Sequence, residues 1–283
     1  MELIKTIRDD AKLRGSFNDL TERTFGFHFE NWHRLGYWRE DYCPYAMVED
    51  GRVMANVSVN HTDFLLDGQR VKLIQLGTVM TDPDYRNRGL IRRIMAEIEK
   101  DWADKADGMY LFANDEVLEF YPKFGFVKGR EMQYTRAVCQ SGACTAAQQS
   151  MASEENRLAL EQAMEKHSAG GFPAAGNPGL TFFYVTSFMN ECVWYDEALD
   201  AWAVAEEDGD TLTLHAVYGA DTEEMIAAFG GGIKQVALGY VPEDAAGYDR
   251  GEVVEEDSTF FVKGAFFETF ENRGLRIPTL SHA

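Results

Sequence analysis

Arg86-Asn87-Arg88-Gly89-Leu90-Ile91 is the stretch on which the reading of this chain turns. It lies between an apolar strand-like run, Leu73 to Met80, and an amphipathic helix from about Asn87 to Trp102 with Leu90, Ile91, Ile94, Met95 and Ile98 at helical spacing. The first turn of a helix has backbone N–H groups without intrahelical partners and the positive end of the peptide dipoles, so an anion is stabilised there. Gly89 lets the backbone come close, and Arg86, Arg88, Arg92 and Arg93 add positive charge. A diphosphate is the ligand this strand–loop–helix predicts. Taken alone the loop is unspecific, because an Arg-rich helix start with one glycine also suits a solvated terminus.

A second element narrows the reading. After a short strand-like run, Met109 to Ala113, come Asn114 and, seven residues on, Tyr121-Pro122-Lys123-Phe124-Gly125-Phe126. In this order and at this separation the two elements resemble the acetyl-coenzyme A site of the GCN5-related N-acetyltransferases (GNAT). The family's R/Q-x-x-G-x-G/A signature falls on Arg86, Gly89 and Ile91, and its N-x6-Y-x-K-x-G-F segment on Asn114, Tyr121, Lys123, Gly125 and Phe126. Ile91 stands where the family has a small residue and Asn87 where glycine is common, which implies a tighter cradle on the side facing the sheet. The R-x-R-G-L form of the loop is similar to that of the enhanced-intracellular-survival (Eis-like) acetyltransferases. The resemblance is specific over about Tyr45 to Thr135.

The resemblance implies an α/β protein of tandem GNAT folds, with mixed, mostly antiparallel sheets flanked by helices. It implies acetyl-coenzyme A as cosubstrate, with pantetheine along the splayed strand end Thr78-Val79-Met80 and the diphosphate on backbone N–H groups from Arg88 through Gly89 and Leu90 to Ile91. Arg86 and Asn114 complete the implied coenzyme site. Tyr121 is the implied general acid and also borders the coenzyme. The implied activity is acetyl transfer to a primary amine of a small or peptidic cationic acceptor.

Composition bounds the alternatives. A chain of 283 residues suits two domains, and we expect a catalytic domain over 1–138, a small-residue linker over 139–153 and a second domain over 154–283. No apolar run approaches the ~20 residues of a membrane span and no signal peptide opens the chain, so we expect a soluble, cytoplasmic protein without a membrane partner. Cys43, Cys139, Cys144 and Cys192 make neither a disulfide framework nor a zinc pattern, and no metal is expected. The formal net charge of −20 is uneven: residues 1–138 hold 20 Lys and Arg against 23 Asp and Glu, residues 139–283 hold 7 against 24. Nucleic acid, which needs a basic face, is disfavoured, and so is a transfer-RNA-dependent transferase. The acidic half suits steering of a cationic acceptor. Whether the chain forms a homo-oligomer stays open.

Along the chain we expect an edge strand at Glu2–Ile7, helices at Arg8–Phe25 and Phe29–Gly36, and antiparallel strands at Tyr45–Glu49, Val53–Leu66 and Val71–Met80 joined by Asp50-Gly51 and Asp67-Gly68 turns. After the cradle helix follow a strand at Met109, a short helix at Glu116–Tyr121 and a strand at Phe126–Thr135. A helix at Glu154–His167 and a loop through Gly179 lead to strands at Cys192–Tyr195, Ala201–Glu206 and Thr211–Tyr218, a helix at Asp221–Phe229, and strands at Ile233–Tyr240, Thr259–Lys263 and Arg276–Leu280. This repeats the order of the first half, but the second candidate helix opens with Gly219-Ala220-Asp221-Thr222-Glu223-Glu224, whose acids would repel a diphosphate. The second copy therefore reads as degenerate.

The general base is open. Gln75 to Thr81 contains no carboxylate, Asp82 reads as a turn residue, and His28, His33, His61 and His215 are isolated. By resemblance to the Eis-like proteins, the C-terminal carboxylate of Ala283 is the candidate, delivered by the expected Arg276–Leu280 strand. The missing strand carboxylate also keeps a non-catalytic acetyl-coenzyme A sensor or assembly module in view.

Overall fold

The computed structural model describes residues 1–5 and 7–282. Strand β1 (Glu2–Ile4) leads to helices α1 (Ala11–Phe25) and α2 (Glu30–Arg34), then to the meander β2 (Tyr42–Glu49), β3 (Arg52–Leu66) and β4 (Gln69–Thr81). Asp10 starts α1 by accepting from the N–H groups of Lys12 and Leu13, and Gly26, at φ 81°, ends it. The two hairpins turn at Asp50-Gly51 and Asp67-Gly68, all four residues having positive φ, which matches the twist of the flanking strands. Helix α3 (Leu90–Trp102) crosses over from β4 to its parallel neighbour β5 (Gly108–Ala113).

The expected strand at Phe126–Thr135 is two strands in different sheets. Val127–Lys128 (β6) stays in the first sheet, whereas Met132–Ala137 (β7) joins the second. The second half then runs β8 (Ala147–Gln148), α4 (Glu154–Lys166), α5 (Pro178–Val185), β9 (Val193–Asp196), β10 (Ala201–Asp208), β11 (Thr211–Tyr218), α6 (Thr222–Phe229), β12 (Gln235–Leu238), β13 (Asp249–Glu252) and β14 (Thr259–Lys263). Strand β14 returns to the first sheet, between β5 and β6. The sheets are β1-β2-β3-β4-β5-β14-β6 and β8-β9-β10-β11-β12-β7-β13, each with one strand borrowed from the other half. No cut at residue 138 separates them, and the expected linker supplies edge strand β8.

Two further expectations change. Helix α5 begins where a loop was expected, with Pro178 at its first turn and the Asn177 side chain accepting from Leu180 N–H. Arg276–Leu280 is not a strand: it packs as irregular chain ending in a 3-10 turn, with Arg276 buried and its guanidinium bonded to Gln133 and to the Leu238 carbonyl.

Helix α3 covers one face of the first sheet through Leu90, Ile94, Met95 and Ile98, which meet Ala55, Val57 and Val59. The opposite face is shared between the halves: Phe17, Trp32 and Trp38 pack with Leu180, Phe182 and Phe183, and the Trp32 indole donates to the Gly179 carbonyl.

Candidate active site

The site begins where two strands part. Strand β4 pairs in parallel with β5 only from Leu73↔Gly108 to Gln75↔Tyr110, while it stays paired with β3 as far as Thr81↔Ala55. Past Gln75 one edge of β4 therefore has no strand partner among the described residues. A bulge lies at this point: Ser58 faces Gly77 but Asn56 faces Met80, so Thr78 and Val79 share one residue's place. Thr78 has φ 47°, whereas the other non-glycine residues at positive φ among those described are all Asp or Asn. A β-branched residue there is strained, by roughly 1–3 kcal/mol.

Facing the gap is the cradle. Asn87 and Gly89 have φ of 60° and 71°, and they turn the chain into α3 without a side-chain cap at its first turn. The first N–H groups of α3 are thus without a side-chain acceptor. Any side chain at position 89 would be strained by that φ, which is why glycine stands there. The Arg88 guanidinium lies 4.4 Å from the Tyr85 ring centre and donates to the Asp84 carbonyl.

Strand edge, cradle and the second motif meet in one cleft of about 840 Å³. Val79, Met80, Arg86, Arg88, Gly89, Leu90, Ile91, Asn114 and Tyr121 all line it, with Arg92 and Lys123 adding positive charge and Glu116 the one acid. Thr78 stands apart from this lining. Its hydroxyl is 2.6 Å from that of Tyr42 and its carbonyl accepts from the Asn56 amide, so it shapes the strand from behind.

Tyr121 is buried against Phe120, Phe126 and Phe261, and this desolvation pushes its hydroxyl up to about 12. It therefore holds its proton at neutral pH. The expected helix at Glu116–Tyr121 is two 3-10 turns, Asp115–Val117 and Tyr121–Phe124. Asn114 is anchored from the second half: its amide donates to Asp257, whose other oxygen accepts from Asp115 N–H. These two bonds hold the Asp257 carboxyl below its ordinary value. Sequence reasoning missed Asp257 because only the insertion of β14, two residues further on, brings it there.

Among the other base candidates, Asp82 is a turn residue, accepting from Asp84 N–H and paired with Arg23 at 3.2 Å. His215 bonds Glu206 in the second half. Ala283 lies outside the described residues. The residues before it are docked where β4 and β5 part: the Tyr110 hydroxyl donates to the Ser281 carbonyl, the Tyr184 hydroxyl donates to that of His282, and the His282 ring stacks on Phe112 with centres 3.9 Å apart.

Residues 10–129 match the family model for the acetyltransferase (GNAT) domain. The first half is a GNAT domain. No curated protein matches the sequence. Among solved structures, the chain is similar to a conserved protein of unknown function from Enterococcus faecalis (TM-score 0.58, 14% identity, covering 95% of this chain and 74% of that one). It is similar also to Eis1 from Mycobacterium abscessus (TM-score 0.56, 14% identity, 92% and 73%). A GCN5-related N-acetyltransferase from Kribbella flavida aligns at TM-score 0.53 and 14% identity, over 93% and 72% of the two chains. These alignments run through both sheets, so the fold is tandem GNAT, and acyl transfer is the reaction class that the GNAT domain supports.

Proposed function

We propose that the protein is an acetyl-coenzyme A-dependent N-acetyltransferase acting on a primary amine of a small or peptidic cationic acceptor, with residues 1–138 contributing the catalytic site. The observation that carries this reading is the single cleft joining an unpaired strand edge, an uncapped helix start among arginines, and a protonated buried tyrosine. The donor set fits the coenzyme: backbone N–H groups at Gly89, Leu90 and Ile91 with Arg86, Arg88 and Arg92 suit a diphosphate, and the β4 edge at Val79 suits the amides of pantetheine, with Met80 lining the same cleft. Acetyl-coenzyme A, when bound, supplies the activated acetyl thioester. Tyr121 holds a proton at its hydroxyl, ready for a leaving group. An amine must arrive uncharged, and the docked segment Ile277–His282 leads toward the same opening, which makes the carboxylate of Ala283 our candidate for the base. The acidic loop Glu255-Glu256-Asp257 beside Asn114 suits the approach of a cation.

Thiol release from acetyl-coenzyme A over a panel of polyamines, aminoglycosides and lysine amides tests the reading. Release that depends on an amine and falls as salt rises is the expected result. Tight coenzyme binding without release on any amine would favour the sensor.

A further inference from the structure

We infer that Tyr42 and Asn56 are positioning residues for the acyl group, acting through Thr78 to hold the β4 bulge; this rests on the acetyltransferase reading above. The stakes of the bulge follow from hydrogen-bond alternation. In an antiparallel pair successive residues direct their N–H groups to opposite sides. Asp82 N–H bonds the Met54 carbonyl, and Met80 is paired with Asn56, so even-numbered residues here face β3. Val79 and Thr81 therefore face the gap left by β5. One residue fewer in the bulge would reverse this, turning Val79 away from the cleft it lines.

Nothing in the intrinsic preference of threonine favours this arrangement, since Thr78 sits at φ 47°. What holds it is a clamp of buried polar groups from two strands. The Tyr42 hydroxyl on β2 is 2.6 Å from Thr78 Oγ1, and Asn56 Nδ2 on β3 donates to the Thr78 carbonyl at 3.0 Å and to Ser58 Oγ at 2.9 Å. Tyr42 and Asn56 are 3% and 0% exposed, so water does not compete for these bonds. On this face of β3, Asn56, Ser58, Asn60 and Thr62 alternate with the apolar Val57 and Val59 of the α3 face, and all are buried. Burying such a polar row is costly unless its groups are hydrogen-bonded. Asn60 and Thr62 are bonded by the Asn177 amide, whereas Asn56 and Tyr42 spend their bonds on Thr78 and Ser58 at the bulge.

The test is a double-mutant cycle on the full chain with Tyr42→Phe, Thr78→Gly and the pair. Glycine adopts positive φ freely and has no hydroxyl to hold. Tyr42→Phe should lower the melting temperature of the unliganded protein by a few degrees with Thr78 present, and by less than half as much in the Thr78→Gly background. By calorimetry, Tyr42→Phe should leave affinity for ADP, whose diphosphate reaches only the cradle, within about 2-fold, while affinity for the coenzyme, free or acetylated, falls because its pantetheine arm lies along β4. Amine-dependent kcat should fall on the order of 10-fold or more, with the acceptor KM little changed, as expected for a displaced reacting group. Equal melting penalties in both backgrounds, or an unaltered ratio of the two affinities, would overturn the inference. A wild-type chain that binds neither form of the coenzyme would instead sink the reading on which it rests.

Discussion

Strands β4 and β5 in the first sheet and β11 and β12 in the second are the same construction: a parallel pair joined by a crossover helix, with a register shift in the neighbouring antiparallel pair. One cleft is open and the other is closed by the chain itself. At α3 the first turn has no side-chain cap and is surrounded by arginines. At α6 a capping box occupies the same place, Asp221 accepting from the N3 backbone and Glu224 from the Asp221 N–H, with Glu223 adding a further negative charge. In the second gap lies the C-terminal segment: Thr279 donates to the Gly239 carbonyl through both its N–H and its hydroxyl, just beyond the end of β12. A fold with two equivalent grooves thus leaves one open and fills the other with its own tail, which runs on to Tyr110 and Phe112 of β5.

The largest effect should come from giving the open cleft the character of the closed one. Gly89→Asp sets a side chain where φ is 71° and a negative charge where a diphosphate would lie, and should weaken acetyl-coenzyme A binding by more than ~10²-fold. Arg88→Glu should weaken it on the order of 10-fold. Titration calorimetry checks both, and unchanged affinity in the pair would mean that the uncapped helix start is only a solvated end.

Tyr121→Phe comes next. Coenzyme affinity should stay nearly intact while turnover falls on the order of 10²-fold, the contribution of a general acid. An active Phe variant would mean that the ring merely packs against Phe120, Phe126 and Phe261. Deleting His282 and Ala283 should lower turnover by roughly 10-fold if a carboxylate there accepts the proton, with coenzyme binding preserved. A truncated protein with full activity would place the base elsewhere.

Most of the open cleft was legible in sequence because its signals are local. Asp-Gly pairs force positive φ, the apolar spacing of α3 fixes its buried face, and Asn114 and Tyr121 sit within eight residues of each other. What escaped is non-local. Residues 126–135 read as one strand because each piece has strand character; that Val127 and Met132 go to different sheets is decided by β14, which arrives from residues 259–263. The expected strand at Arg276–Leu280 failed for a related reason: Arg276 and Pro278 break its alternation, and the segment gains more by satisfying the ends of β12 than by extending a sheet. Thr78 looked like a ligand-facing residue until its hydroxyl was seen against Tyr42, a partner 36 residues away.

The smallest effect concerns how the tail is fixed in the closed groove. Glu131, 5% exposed, accepts from Ile277 N–H at 2.6 Å beside Arg276, and burial raises its carboxyl from 4.5 to about 8 despite both neighbours. Folding therefore binds this proton more tightly than the unfolded chain does. The contribution to stability is full below about pH 4.5 and is lost as pH rises through about 8. His282 has the opposite sign: burial, with Arg276 close by, lowers it to about 3, so its contribution is present above its ordinary 6.5 and is lost as pH falls toward 3. The groups facing Glu131 include Arg276, which favours its charged form, and Glu255, which opposes it. Glu131→Gln keeps an oxygen for Ile277 N–H and cannot ionise. Between pH 6 and 8.5 the wild-type melting temperature should fall by a few degrees more than that of the variant, and the deletion of His282 and Ala283 should leave this difference in place. Parallel pH profiles for wild type and Glu131→Gln would mean that the carboxyl is already ionised in the fold, held there by Arg276, and that the tail is pinned by an ion pair and not by a neutral acid.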